Sequence, residues 1–217
     1  QILGGGLGVP EETFMKLLKE KEIKNLSPVI QQTVLIKKYS RNDNSKGSPS
    51  DRSSKPALLL GVDLLARENF RLYDVEKTAS TEDVLSRLEN RNGLFLGREL
   101  ANALSVQIGS FVNIDTTNYR KFEVRGILKS NKLSDSMGGM LIVMDVGDAQ
   151  EAFNRLGFLD RIDIVLKDDK KTDFMKGLIQ KKISKGLIID RPERRGSDVQ
   201  KMLGSFQLNL KVLSFIS

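Results

Sequence analysis

The sequence predicts an α+β protein in which the two ends of the chain build one small layer and the middle is inserted between them. Three observations lead there. Residues 159–190 read strand–helix–strand, and the head of the chain offers helix then strand, the remains of a similar unit. Charge divides along the same lines. Ten Lys and Arg stand against six Asp and Glu in residues 1–56, twelve against fourteen in 57–158, and thirteen against eight in 159–217. Both ends are basic and the middle is not. Finally, the last segment, "KMLGSFQLNLKVLSFIS" (201–217), changes from amphipathic to apolar nearly all round, as a helix leaving the domain would.

The elements follow in order. "QILGGGLG" (1–8) reads as the exit from an upstream element, its Gly run a flexible joint below the domain. Pro10 suits the first turn of a helix, with Glu11 and Glu12 at the positive end of its dipole. Phe14, Met15, Leu17 and Leu18 form its buried stripe, to about Glu22. "IKNLSPVIQQTVLIKKYS" (23–40) is β-branched and extended, and Pro28 makes its first part an edge or a bulge. Residues 41–56, "RNDNSKGSPSDRSSKP", lack large apolar groups and cannot repay their ordering entropy, so they are expected to be a mobile loop.

"ALLLGVDLL" (57–65) is a buried strand and a turn. Ser80 and Asp83, in capping-box spacing, open a short helix. "GLFLGRELANALSVQIGSFVNI" (93–114) is a strand end, a helix over about 98–104 with Leu100, Ala101 and Leu104 inward, and a strand entered through Gly109. "YRKFEVRGILK" alternates as a strand, with Phe122, Val124 and Ile127 or Leu128 on one face. A polar loop, a buried strand "MLIVMDV" and a helix ended by Gly157 complete the middle. In "DRIDIVLKDD", Ile162, Ile164 and Leu166 point one way. Thr172 then caps a helix carrying Phe174, Leu178, Ile179 and Ile183, closed by Gly186, and "LIID" follows as a strand parallel to the first if the two share a sheet.

Ser197 and Gln200 have the spacing of a helix start. Val199, Met202, Leu203, Phe206, Leu210 and Leu213 then fall on one stripe, and Leu208, Val212, Phe215 and Ile216 appear on other faces after Phe206. A helix of about 20 residues reaches roughly 30 Å, too long to hide in so small a domain. The expectation is a stalk over 197–217 entering a membrane; a C-terminal core helix is the alternative. The start on Gln1 and the stop inside an apolar run are expected to be cuts in a longer protein.

Composition narrows the chemistry. The chain of 217 residues has no Cys and no His. That excludes a Ser-His-Asp triad, a Cys-His dyad, the usual zinc sites and Cys- or His-ligated iron. No Gly-Lys-Ser/Thr occurs, so there is no Walker A loop, and "GGGLG" (4–8) has Val9 where a dinucleotide fingerprint needs Gly. Asp168, Asp169 and Asp173 lack calcium-loop spacing and read as a solvated turn, and Asp135 as a turn former. No catalytic, cofactor-binding or metal-ligating residue is assigned. "RPERRG" (191–196) places Arg191, Arg194 and Arg195 just above the stalk, in reach of anionic headgroups or a partner subunit, or simply solvated.

Several segments in order, "LSPVI" (26–30), "LGVD" (60–63), "LFLGRELANALSVQIGSFVNI", "FEVRGILKSNKLSDS", "MLIVMDVGDAQEAF" and "DRIDIVLKD", resemble the extracytoplasmic domain of ABC-transporter permeases of the macrolide-exporter, lipoprotein-releasing and cell-division type. The resemblance covers most of residues 23–217. Asn131 stands where that family usually has Gly, Leu64 where a Pro often follows the turn, and residues 41–56 look like an insertion. The resemblance implies a porter-like α+β subdomain from 1–56 and 159–196, a β-rich subdomain inserted at 57–158, and the domain placed between the first and second membrane helices. It implies the extracytoplasmic side of a bacterial inner membrane, no enzymatic activity and no cofactor. The implied partners are an ATPase subunit or domain, a second permease copy or homologue, and a periplasmic protein or lipoprotein. The expected function is to relay ATP-driven helix movement to a hydrophobic cargo or partner. A regulatory permease that activates a cell-wall hydrolase and a soluble basic nucleic-acid-binding protein are the alternatives.

Overall fold

The computed structural model describes residues 1–40, 53–64, 92–116, 120–129 and 139–191. The fold class is α+β. Among the described residues the strands are β1 (Ile2–Leu3), β2 (Val9–Pro10), β3 (Ile23–Lys38), β4 (Lys55–Val62), β5 (Gly93–Gly97), β6 (Phe111–Ile114), β7 (Arg120–Leu128), β8 (Leu141–Asp145), β9 (Phe158–Leu159), β10 (Arg161–Leu166) and β11 (Ile188–Ile189). The helices are α1 (Glu11–Leu17), α2 (Arg98–Leu104), α3 (Val146–Ala152) and α4 (Thr172–Lys182). The expected helix from Ser80, Asp135 and most of its polar loop, residues 41–52 and the stalk lie outside the described residues.

Nine strands form one sheet in the order β11-β1-β10-β3-β4-β8-β5-β7-β6. β6 also pairs with the end of β3, through Ile36↔Ile114 and Lys38↔Val112. The run β3-β4-β8-β5-β7-β6 therefore closes on itself as a six-stranded ring, while β11, β1 and β10 continue from the start of β3 as an open sheet. β3 is common to both. Its first part pairs with β10, Ile23↔Leu166 to Val29↔Arg161, and its second with β4, Val29↔Val62 to Ile36↔Lys55. Pro28 lies in the part with β10 on one side and no β4 partner on the other, a position that tolerates a missing N–H.

Alternation along the ring strands produces two apolar faces. Leu59, Leu94, Leu96, Phe122, Val124, Ile142 and Met144 join one cluster, to which α1, α2, α3, α4 and β1 also contribute. Leu60, Val62, Phe95, Leu128, Leu141 and Val143 form a second cluster. Such double-sided strands read as continuous apolar runs, as "MLIVMDV" does. β7 changes face partway because the register with β5 passes from Leu94↔Val124 to Phe95↔Gly126 and skips Arg125. This bulge is why Phe122, Val124 and Ile127 reach the first cluster and Leu128 the second. α3 lies close over β4 because Gly61 has no side chain: a Cβ there would overlap that of Ala149.

Several local expectations are corrected. α1 begins after Pro10, which occupies the cap position, and stops at Leu17. Two turns offer a single inward ridge, Thr13 and Leu17, so Met15 and Leu18 are exposed. Lys55 and Pro56 belong to β4, paired with Ile36 and Leu35, rather than to the polar loop. α3 ends at Ala152, not Gly157; the Gly157 carbonyl instead accepts the Glu11 N–H at 2.9 Å. Thr172 does not cap α4. A 3-10 turn over Asp169–Lys171 precedes it, and the i, i+4 series Met175, Ile179 and Ile183 faces the core. Phe174, about 100° round the helix from Met175, is 68% exposed.

Candidate transmission site at the paired chain ends

β1 and β11 are two residues each, too short for any periodicity, yet they carry the geometry that matters most. They lie side by side and antiparallel, with Ile2 opposite Ile189 and Leu3 opposite Ile188. The Gln1 backbone nitrogen donates to the Asp190 carbonyl at 2.8 Å, and the Asp190 N–H donates back to the Gln1 carbonyl at 2.9 Å. Gln1 and Asp190 are thus held side by side on neighbouring strands. β1 also pairs with β10, Ile2 opposite Ile162, and both side chains are fully buried. β10 and β11, each antiparallel to β1, run parallel to one another in one sheet with α4 between them in sequence. A displacement of β1 or β11 therefore acts directly on the open sheet.

Among the predicted site residues, Arg191 is the one that is described. Its backbone N–H donates to its neighbour Asp190 Oδ1 at 2.8 Å, and Nη2 meets Asp173 Oδ1 on the first turn of α4 at 3.1 Å. Arg191 ties the end of β11 to the helical layer. Asp173 is almost fully exposed, so the pair is worth little to stability. Arg191→Ala is expected to change the unfolding free energy by less than about 0.5 kcal/mol, a result that a urea titration reads directly. Arg194, Arg195 and the stripe Val199, Met202, Leu203, Phe206, Leu210 and Leu213 lie outside the described residues.

The rest of the helical layer is laced to the same end. Lys171 Nζ meets Glu22 Oε2 at 3.1 Å, the Lys167 N–H donates to the Glu22 carbonyl at 3.1 Å, and Lys182 pairs with Glu20. Asp168 is a turn former: its Oδ1 accepts the Lys170 N–H at 3.0 Å. The Gly run forms a hydrogen-bonded turn. The Gly8 N–H closes on the Gly5 carbonyl at 2.7 Å, and Gly4 sits so near Gly8 that a Cβ would overlap its backbone. No described helix is long and apolar enough to cross a membrane.

The closed ring on an open α+β layer, joined by one long strand, is a fold this chain shares with extracytoplasmic domains of ABC-type transporters. The chain matches the extracellular domain of the noncanonic ABC-type transporter YknZ from Gram-positive bacteria with a TM-score of 0.59 at 12% identity, covering 88% of this chain and 98% of that one. It matches the periplasmic region of MacB from Actinobacillus actinomycetemcomitans with a TM-score of 0.57 at 14% identity, covering 92% and 91%. In sequence it is 23% identical, over 221 aligned residues and 100% of its length, to an uncharacterized ABC transporter permease protein of Mycobacterium tuberculosis, Rv0987. The chain spans 23% of that relative's length. No family model matches it.

Proposed function

We propose that this chain is the extracytoplasmic domain of an ABC-transporter permease subunit and that its work is mechanical. Movement of membrane helices, driven by ATP at a separate ATPase subunit or domain, enters through the paired ends. It passes from β1 and β11 through β10 to β3, and along β3 to the ring. The ring then presents or withdraws a surface toward a hydrophobic cargo or a periplasmic protein. In this reading residues 1–56 with 159–196 form the porter-like part, 57–158 the inserted part and 197–217 the stalk. The assembly contains a second permease copy or homologue and sits in a bacterial cytoplasmic membrane.

The observation that carries the reading is the mutual hydrogen bonding of Gln1 and Asp190. Relative motion of two adjacent strands held by such bonds would deform the sheet they belong to. Packed elements respond to such a push by moving as units.

The test uses the intact transporter with its ATPase in lipid nanodiscs. Spin labels are placed at Lys176 on α4 and Gln107 beyond α2, both exposed. The distance between them is expected to differ between the nucleotide-free and ATP-bound states. An identical distance in every nucleotide state defeats the relay.

A further inference from the structure

The Arg155–Asp160 pair sits where the ring meets the open sheet, and its contacts are unlike those of a surface ion pair. β3 changes partner at Val29, which is opposite both Arg161 and Val62. Beyond Val29 the β10 ladder has no further residue to offer. Asp160 supplies the missing rungs. Its N–H donates to the Val29 carbonyl at 2.9 Å, and its Oδ2 accepts the Gln31 N–H at 2.7 Å and Gln32 Nε2 at 3.1 Å. A side-chain carboxylate thus stands in for a strand carbonyl at the point where β3 passes from one sheet to the other.

The other carboxylate oxygen, Oδ1, accepts Arg155 Nη2 at 2.9 Å. The same Nη2 donates to the Leu7 carbonyl at 3.3 Å, in the packed turn between β1 and β2. The Arg155 N–H holds the Gln150 carbonyl of α3 at 2.7 Å. Gly8 keeps this path open, since a Cβ there would stand 2.6 Å from Nη2. The two side chains are only 25% and 22% exposed, so their hydrogen bonds are poorly replaced by water. The Arg161 guanidinium adds a bond to Gln31 Oε1. One node therefore joins the turn after β1, the midpoint of β3 and the end of α3.

We infer that Arg155 and Asp160 form a brace that sets the angle between the six-stranded ring and the open sheet, with β3 near Gln31 and Gln32 as the line about which that angle changes. A rotation of the ring about this line that carries α3 away from the turn at Leu7 would break the Arg155 bridge. The brace deepens the relay reading, since it would decide how far motion of the paired ends is passed on. It stands on geometry within this chain and is tested without nucleotide.

The absence of cysteine makes the experiment direct. Pairs of cysteines are introduced into the 217-residue chain for spin labelling, one pair across the junction (Lys176 and Gln107) and one within the open layer (Lys176 and Lys24). Asp160→Asn and Arg155→Met are compared with the parent, with circular dichroism to confirm folding. The cross-junction distance distribution is expected to widen at least about twofold, or to shift, while the distribution within the layer stays as it was. An unchanged cross-junction distribution in a folded variant overturns the brace. So does equal widening of both pairs, which is ordinary destabilisation. If both variants unfold the inference also fails, because the pair then holds the fold and not an angle. The relay stands or falls separately, on the nucleotide dependence in the intact transporter.

Discussion

Replacing Phe122 by alanine is expected to lower the unfolding free energy by about 3–5 kcal/mol, the usual cost of emptying a fully enclosed aromatic site. Phe122 lies on β7 opposite Val112 of β6, with no exposed surface, in the cluster shared by the ring and the helices. A closed ring has no free edge to shift inward, so the cavity cannot collapse readily. The midpoint of urea unfolding reads the effect, with its slope unchanged if the native state stays intact. Phe174→Ala is the matched control. That ring is on the outer side of α4, and its loss is expected to stay within about 0.5 kcal/mol. Equal losses at the two positions would contradict the packing described.

Gly8→Val carries the second large effect, about 3 kcal/mol or more from left-handed strain and overpacking together. Gly8 has φ +85°, a conformation that a β-branched residue does not tolerate. A Cβ there would also overlap the Leu159 carbonyl, a backbone atom that cannot turn aside. The β2–β9 ribbon, Val9↔Leu159, is expected to separate with it. Gly5, three residues earlier in the same run, has open space around it and no positive φ. Gly5→Ala is expected to be neutral or to stabilise by a few tenths, about 0.4 kcal/mol, through the unfolded chain. Differential scanning calorimetry of the two variants separates a required glycine from an incidental one. A Gly8→Val protein as stable as the parent would show that the turn is not packed as described.

The bounds of α2 and its flanking strands were legible because the signals are local. Gly97 and Gly109 punctuate them, and Leu100, Ala101 and Leu104 repeat at helical spacing. Which face of α4 turns inward was not legible. Phe174 and Met175 are both apolar, and the preceding 3-10 turn decides the phase between them. The bulge at Arg125 was invisible for a related reason: "FEVRGIL" suits a strand in either register, and the partner β5 selects one. Arg155 and Asp160 drew no notice in the sequence because a charged pair five residues apart carries no periodic signal. Their meaning comes from Leu7 and Gln31, well over a hundred residues away.

By itself the sequence determined that the protein mixes strands and helices, that His and Cys chemistry is closed to it, and that its ends share a charge and a strand–helix pattern. These follow from residue identity and from periods of two and 3.6, which neighbours along the chain establish. Only the tertiary structure decided that β6 returns to β3 to close a ring, that Gln1 and Asp190 lie side by side, and that one carboxylate spans the change of partner along β3. Those contacts join segments about 75 to 190 residues apart, and nothing local in a chain specifies which distant hydrogen-bonding edge it will meet.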